Sequence, residues 1–277
     1  MNVNSNSKFK QYYDDQKVWE MIEKDVKRTR SDLMFFSSAY APEQNTEANV
    51  ETLEQQHKTK KADLTAEQSK CYIESHADVL SRILFIYAKL NKAIQYVQGM
   101  NEVCAVIYYM HYKQGRTEFF ESDVFFCFSL LMGELKDGFI RQLDNEDSGI
   151  FGRCKNINKI VKTVDLPVWN CLARLKVETQ YYALRWIMVL MCQEFTIPDV
   201  IRLWDSLFAD PTRFDFIDYI CVQAVLTVRT DILKGDFAKV MEVLQTCAEN
   251  VQDVQQLIKD AIRLKDRYEA AVKTDKI

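Results

Sequence analysis

Ser75-His76-Ala77-Asp78-Val79-Leu80-Ser81-Arg82-Ile83-Leu84-Phe85-Ile86-Tyr87-Ala88-Lys89-Leu90 opens on a polar helix start and then carries Val79, Ile83, Ile86, Tyr87 and Leu90 at 3.6-residue spacing. That spacing lines one face of a helix and no face of a strand, so the segment predicts an amphipathic α-helix. The same period recurs in both directions. Upstream, Trp19, Ile22 and Val26 keep it within 18–28, with Glu23, Lys24 and Lys27 on other faces. Downstream, the pattern predicts helices over 96–112, 123–135, 157–163, 167–176, 181–194, 198–209 and 215–230, and more between Asp236 and Tyr268. Pro198-Asp199 suits a helix first turn, because proline loses no needed donor there and the carboxylate meets the positive helix end. Strand-like alternation is nearly absent and no fixed repeat marks a solenoid. The expected class is all-α, one domain over 1–277 built as two helical halves, 18–149 and 150–268.

Composition supports this reading. With 277 residues, 48% of them hydrophobic, the chain can bury a sizeable core. Only 7 glycines and 4 prolines favour long helices joined by few sharp corners. A net charge of −4 argues against nucleic acid as a partner. The 8 cysteines form no CxxC pair and the 3 histidines stand apart, which points to buried reduced thiols rather than a metal site. The opening residues lack the apolar core of a signal peptide, and the longest apolar runs are too short to span a bilayer. Asn2 and the ending Asp275-Lys276-Ile277 encode neither common lipid anchor. Membrane contact is therefore expected only through a partner, from a cytoplasmic location.

Residues 42–70 change character to Glu, Gln, Lys, Thr, Asn and Ala, and read as a polar surface insertion with a nascent helix start at Thr65-Ala66-Glu67-Gln68. Asp144-Asn145-Glu146-Asp147-Ser148-Gly149 has the look of a calcium loop, but Lys155 stands where its closing glutamate belongs, which rejects it.

Three further stretches carry chemistry. Ile22-Glu23-Lys24-Asp25-Val26-Lys27-Arg28-Thr29 has the form IxxDxxR, and Tyr96-Val97-Gln98-Gly99-Met100-Asn101 has the form YxQGM. A third runs from Tyr182-Ala183-Leu184-Arg185-Trp186 through Phe195 to Ile201-Arg202-Leu203-Trp204-Asp205-Ser206-Leu207-Phe208. Alone, Asp25–Arg28 would read as an ordinary surface ion pair and Gln98-Gly99 as a turn before a helix. Together and in this order, the three stretches resemble the signatures of the TBC domain family, whose members activate Rab-type small GTPases. The resemblance covers roughly 18–233 and implies the TBC domain fold.

It also implies two residues that act in trans. GTP hydrolysis builds charge on phosphate oxygens, which a planar guanidinium from a partner can neutralise with several hydrogen bonds; such arginine fingers change rates on the order of 10³–10⁵-fold. A glutamine amide can accept from the attacking water while donating to a transition-state oxygen. The resemblance assigns these roles to Arg28 and Gln98. Asp25 is placed to aim Arg28, Tyr96 to wall the Gln98 loop, and Gly99 to let backbone approach a bulky partner, with Asn101 beside them. The Trp and Phe residues of the third stretch read as core, and an Arg185–Asp205 ion pair is one arrangement open to it. No cofactor of its own is implied, since GTP and Mg²⁺ belong to the GTPase, and no independent substrate turnover is expected.

Two departures from the family pattern bear on this. No residue before Ile22 matches the family's opening block, so an exposed apolar groove is expected on the N-terminal half. The insertion also widens the gap between Arg28 and Gln98, at little cost because closure entropy grows only with the logarithm of length. A rival reading is a non-catalytic Rab-binding or scaffold module in membrane trafficking, although a degenerate domain would be free to lose Arg28 or Gln98. A GTPase is expected to sit in a groove lined mainly by the first half.

Overall fold

The computed structural model describes residues 8–40, 74–115, 117–139 and 149–274. The helices run α1 Lys8–Val26, α2 His76–Leu90, α3 Met100–Lys113, α4 Phe120–Phe139, α5 Ile150–Val164, α6 Leu166–Leu175, α7 Gln180–Met188, α8 Ile197–Ala209, α9 Phe216–Thr227, α10 Arg229–Lys234, α11 Phe237–Gln245 and α12 Val254–Thr274. Among the described residues there is no strand; Ala39 and Ser75 form an isolated bridge. The all-α expectation holds. The insertion over 42–70, with its helix start at Thr65, and the rejected calcium loop over 144–148 lie outside the described residues.

Local chemistry explains where the helices begin. At α2 the Ser75 hydroxyl accepts from the Asp78 backbone N–H at 3.2 Å while the Asp78 carboxylate accepts from the Ser75 N–H at 2.8 Å, a reciprocal capping box. Asp165 caps α6 by accepting from the Val168 N–H, with proline in the first turn. Asp236 caps α11 by accepting from the Lys239 N–H. Pro198 lies in the first turn of α8, where Asp199 accepts from the Thr196 hydroxyl at 2.6 Å.

Packing gathers the helices into two groups. In the first, α1 lies on α2, α2 on α3 and α4, and α3 on α4. The second is built around α9, whose Phe216, Ile217, Ile220, Cys221, Val222, Ala224 and Val225 are all at most 1% exposed. A helix apolar on nearly every side must be surrounded, and α9 is enclosed by α5, α7 and α12. The groups meet where α3 touches α8 and α4 touches α7. Trp186, Trp204 and Phe195 of the third stretch are buried here, as expected, whereas Phe208 is partly exposed. On α1 and α2, Phe9, Tyr12, Tyr13, Ile86 and Leu90 remain exposed.

Several helix limits differ from the sequence expectation, for physical reasons. The helix expected over 181–194 ends at Met188; Leu190 and Met191 then take left-handed φ of 48° and 62°. Distant donors capture the carbonyls that would have continued it: the Trp204 indole N–H donates to Leu190 O at 3.0 Å, and Arg30 donates to Cys192 O and Phe195 O. The helix expected over 215–230 breaks at Val228, after which α10 begins. The one expected over 96–112 starts only at Met100, because Gly99 has φ 104°.

The capping box makes one measurable claim. Ser75→Ala removes the oxygen that satisfies the Asp78 N–H and should cost about 1 kcal/mol of stability, read as a lower urea midpoint at unchanged m-value.

Candidate functional site

The two signature segments meet because α2 starts beside the end of α1 and runs back along it, with Lys89 paired to Asp15, and the segment between α2 and α3 then brings Tyr96 to Asp25. Helix α1 stops at Val26, and Arg28 stands in the turn beyond it. Asp25, in the last turn, is 6% exposed and so must find partners for its carboxylate. It has one on each oxygen. Oδ1 accepts from Arg28 Nη2 at 2.6 Å, and Oδ2 accepts from the Tyr96 hydroxyl at 2.8 Å. The Tyr96 oxygen also lies 3.1 Å from Asn101 Oδ1, but its single proton is better given to the charged carboxylate. Burial first, then the charge of Asp25, pushes the Tyr96 phenol well above its ordinary value, so it stays a neutral donor.

A second path ties the same turns together. The Thr29 hydroxyl donates to Asp25 O at 3.0 Å and accepts from Asn101 Nδ2 at 2.8 Å, while Asn101 Oδ1 accepts from the Gly99 N–H at 3.1 Å. Asp25, Thr29, Tyr96, Gly99 and Asn101 thus form one hydrogen-bonded network under the two turns. The side chains carried above it are free to act outward. Arg28 is 69% exposed, with Nε donating to Lys24 O and Nη1 left undirected. Gln98 is exposed in the turn before α3, with no hydrogen bond of its own side chain among the described residues.

Both open into a cleft of about 360 Å³. Asp25, Gly99, Asn101 and Glu102 complete its wall on the first half, and Leu184, Arg185, Met188, Val189 and Gln193 supply the other wall. The first half supplies more of the lining than the second, and α7 and the turn after it form the facing side. Arg185 was open to pairing with Asp205; it pairs instead with Glu194, Nε to Oε1 at 2.8 Å, and lies at the cleft rather than within the packing of the second half. The cause is the early end of α7, which folds Glu194 back toward Arg185.

Gly99 is required by its surroundings. Its φ of 104° disfavours any L side chain, and a Cβ there would lie 2.9 Å from Val189 Cγ1. Residues that the sequence reading missed are Thr29, Arg30, Glu102, Val189 and Gln193. Thr29 and Glu102 adjoin the motifs and were within reach of a helix-face argument, but nothing local marks the others. Glu102 is 6% exposed, with Asn101 Nδ2 at 3.3 Å and the Gln193 side chain as partners. Burial pushes its carboxyl upward; the Gln193 hydrogen bond and the charge of Arg30 oppose this, and Asp32 and Asp25 add to it.

Among the described residues no group of His, Cys, Asp and Glu is placed to hold a metal ion, and no helix is long and apolar enough to cross a membrane. Of the described cysteines, Cys127 alone is exposed.

Comparison with known proteins decides the family. The model of the Rab-GTPase-TBC domain matches residues 36–233. The chain belongs to this family. The TBC domain match spans Gln98 and the third stretch but begins after Arg28. TBC1 domain family member 13 of Homo sapiens is 35% identical over 301 residues, covering 96% of this chain and 74% of that protein. A TBC domain-containing protein of Schizosaccharomyces pombe is 28% identical over 338 residues, covering 88% of this chain and 55% of that protein. Among solved structures, the Ypt/Rab-GAP domain of Gyp1p superposes with a TM-score of 0.61 at 20% identity, over 92% of this chain and 81% of that one. The Chlamydomonas flagellar RabGAP TBC domain does so at 0.52 and 15% identity, over 89% and 72%. These two likenesses concern the fold alone. Family membership supports a role of the Rab-GAP type.

Two outcomes follow from the site. Gly99→Ala should lose about 1–3 kcal/mol through backbone strain, beyond whatever the Val189 contact adds, measured by urea unfolding. For Glu102 the folded-state value lies above the ordinary 4.5, so the neutral form is favoured in the fold. Its contribution is complete below about pH 4.5 and is lost as pH rises through the folded value. Glu102→Gln should therefore gain stability relative to wild type as pH increases from 4 to 8, and a gap that stays flat across that range would remove Glu102 as its source.

Proposed function

We propose that this TBC domain accelerates GTP hydrolysis by a Rab-family GTPase, with Arg28 as the arginine finger and Gln98 as the residue that positions the attacking water. The observation that carries the reading is the placement of both side chains, exposed and with donors to spare, on one cleft above a single buried hydrogen-bonded network. A transition state with charge spread over phosphate oxygens needs donors held in place before it forms. Asp25 holds Arg28 at Nη2 without consuming Nη1, which leaves a donor for a phosphate oxygen in another protein's active site. Gln98 projects from a turn whose backbone is fixed by Gly99 and Asn101. Supporting roles for Asp25, Tyr96, Gly99 and Asn101 are positional: each holds one of the two turns.

In this reading the chain holds neither nucleotide nor metal, and turns over no substrate of its own. GTP and Mg²⁺ arrive with the GTPase. Localisation follows the partner, so the domain works in the cytoplasm at endomembranes through the Rab it meets. The cleft's second wall adds α7 and the turn behind it to the surface a GTPase would meet, which supports a share for them in selecting among Rab proteins.

Single-turnover GTP hydrolysis by a panel of purified Rab GTPases tests this, using wild type, Arg28→Ala and Gln98→Ala. At least one Rab should be accelerated by wild type. Arg28→Ala should then lose on the order of 10³-fold or more of that gain, and Gln98→Ala should also lose most of it, while both variants still bind. Binding of a Rab without any acceleration would make the domain a non-catalytic module.

A further inference from the structure

Arg30 lies two residues beyond Arg28 but points the other way, into the protein, where it is 7% exposed. Nη1 donates to Cys192 O at 2.7 Å and to Phe195 O at 2.8 Å, and Nη2 donates to Asp32 Oδ2 at 2.9 Å. This arrangement is costly. The backbone at Arg30 is left-handed, with φ 47°, its buried Nε finds no partner among the described residues, and a guanidinium has been taken out of water. Such costs persist only where surrounding contacts offset them; besides the local pairing with Asp32, both bonds of Nη1 run to one place.

That place is the 189–195 turn. Leu190 and Met191 are both left-handed, so the turn is not one that the local sequence would choose. It is pinned at Leu190 O by the Trp204 indole and at Cys192 O and Phe195 O by Arg30. Its first residue, Val189, is pressed so close to Gly99 that a Cβ there could not be fitted, and Gln193 lines the cleft with Arg28 and Gln98. Arg30 thus connects the arginine turn to the segment that backs the glutamine turn, across the boundary between the two helical groups.

We propose that Arg30 is a positioning residue for the hydrolysis step: by clamping the 189–195 turn against Gly99 it fixes the backbone that presents Gln98. The inference rests on the two-finger reading above. It separates from simple core stabilisation because a displaced Gln98 lowers the rate of the bound complex without weakening the encounter. Misplacement of a reacting group by about 1 Å costs on the order of 10²-fold.

The test uses the whole chain with a Rab that wild type accelerates. Arg30→Met removes the donors at similar length, Arg30→Lys keeps the charge and part of the donor set, and Leu264→Ala in α12 serves as a comparison of stability alone. The maximal rate with Arg30→Met should fall on the order of 10- to 100-fold while the half-saturating concentration is unchanged. Arg30→Lys should fall between it and wild type, since one ammonium cannot span both carbonyls and Asp32. Leu264→Ala should keep the wild-type maximal rate. In the free proteins, amide exchange at Gly99 and Met100 should quicken in Arg30→Met. The proposal is overturned by an unchanged maximal rate, by a loss confined to half-saturation, by an equal loss in Leu264→Ala, or by unchanged exchange at Gly99 and Met100. Should Arg30→Met not fold, Arg30→Lys carries the test, and a wild-type rate and exchange pattern there overturns it. If wild type accelerates no Rab, the two-finger reading fails instead, and the exchange comparison still decides whether Arg30 holds the Gln98 backbone.

Discussion

A carboxylate cannot be buried without partners for both of its oxygens, and Asp25 meets that demand with one partner from each side of the site. Arg28 satisfies Oδ1 and the Tyr96 hydroxyl satisfies Oδ2. The two partners come from segments that a long stretch of sequence separates, brought together also by helix packing and by the Thr29–Asn101 bond. Leaving either oxygen unmet would cost more than a typical hydrogen bond contributes. The end of α1 and the turn before α3 are therefore coupled: moving one strands a charge. The Asp25 backbone carbonyl extends the coupling through Thr29 to Asn101 and from there to the Gly99 amide.

For the proposed role of Arg28, this arrangement resolves a conflict faced by any residue that must act on another protein. Arg28 has to be exposed to be useful, yet an exposed arginine samples many rotamers and an exposed ion pair contributes little order. Pairing it with a carboxylate that is itself buried changes the balance, because the anchored end no longer has a hydrated alternative. The guanidinium is held at Nη2 and Nε while the side chain stays largely in solvent. Gln98 reaches the same compromise differently: its side chain is unanchored, and order is supplied by a backbone that only glycine at 99 allows and that Val189 blocks from the far side.

How much of this was legible beforehand divides along sequence distance. The helices around Val79–Leu90 and within 198–209 could be read because their apolar period and caps are local. The TBC signatures could be read because Asp25 precedes Arg28 by one helical turn and Gly99 follows Gln98 directly. The second wall of the cleft could not. The apolar pattern over 181–194 continues past Met188 without interruption, so nothing in it announces that α7 stops. What stops it is a set of donors from far away, the indole of Trp204 and the guanidinium of Arg30, that bind carbonyls a helix would otherwise use. Arg30 stands close behind Lys27 and Arg28 in sequence, and only its φ and its burial set it apart from them. The same early turn put Glu194 beside Arg185, which is why the alternative pairing with Asp205 does not form.

Among the described residues, the cleft is rich in donors and has no Ser, Thr, Cys, Lys or His in its lining. The groups next to the exposed pair are a neutral phenol held by Asp25, a carboxyl pushed toward its neutral form at Glu102, and backbone amides. The cleft is also open, so water is not excluded from it. Both properties fit the proposed role, in which a partner would supply the reacting groups and close off solvent, leaving positive charge and a polarising amide to come from this chain. Under that proposal the chemical task is the rigid mounting of two exposed side chains, and the buried polar structure beneath them is what would hold them.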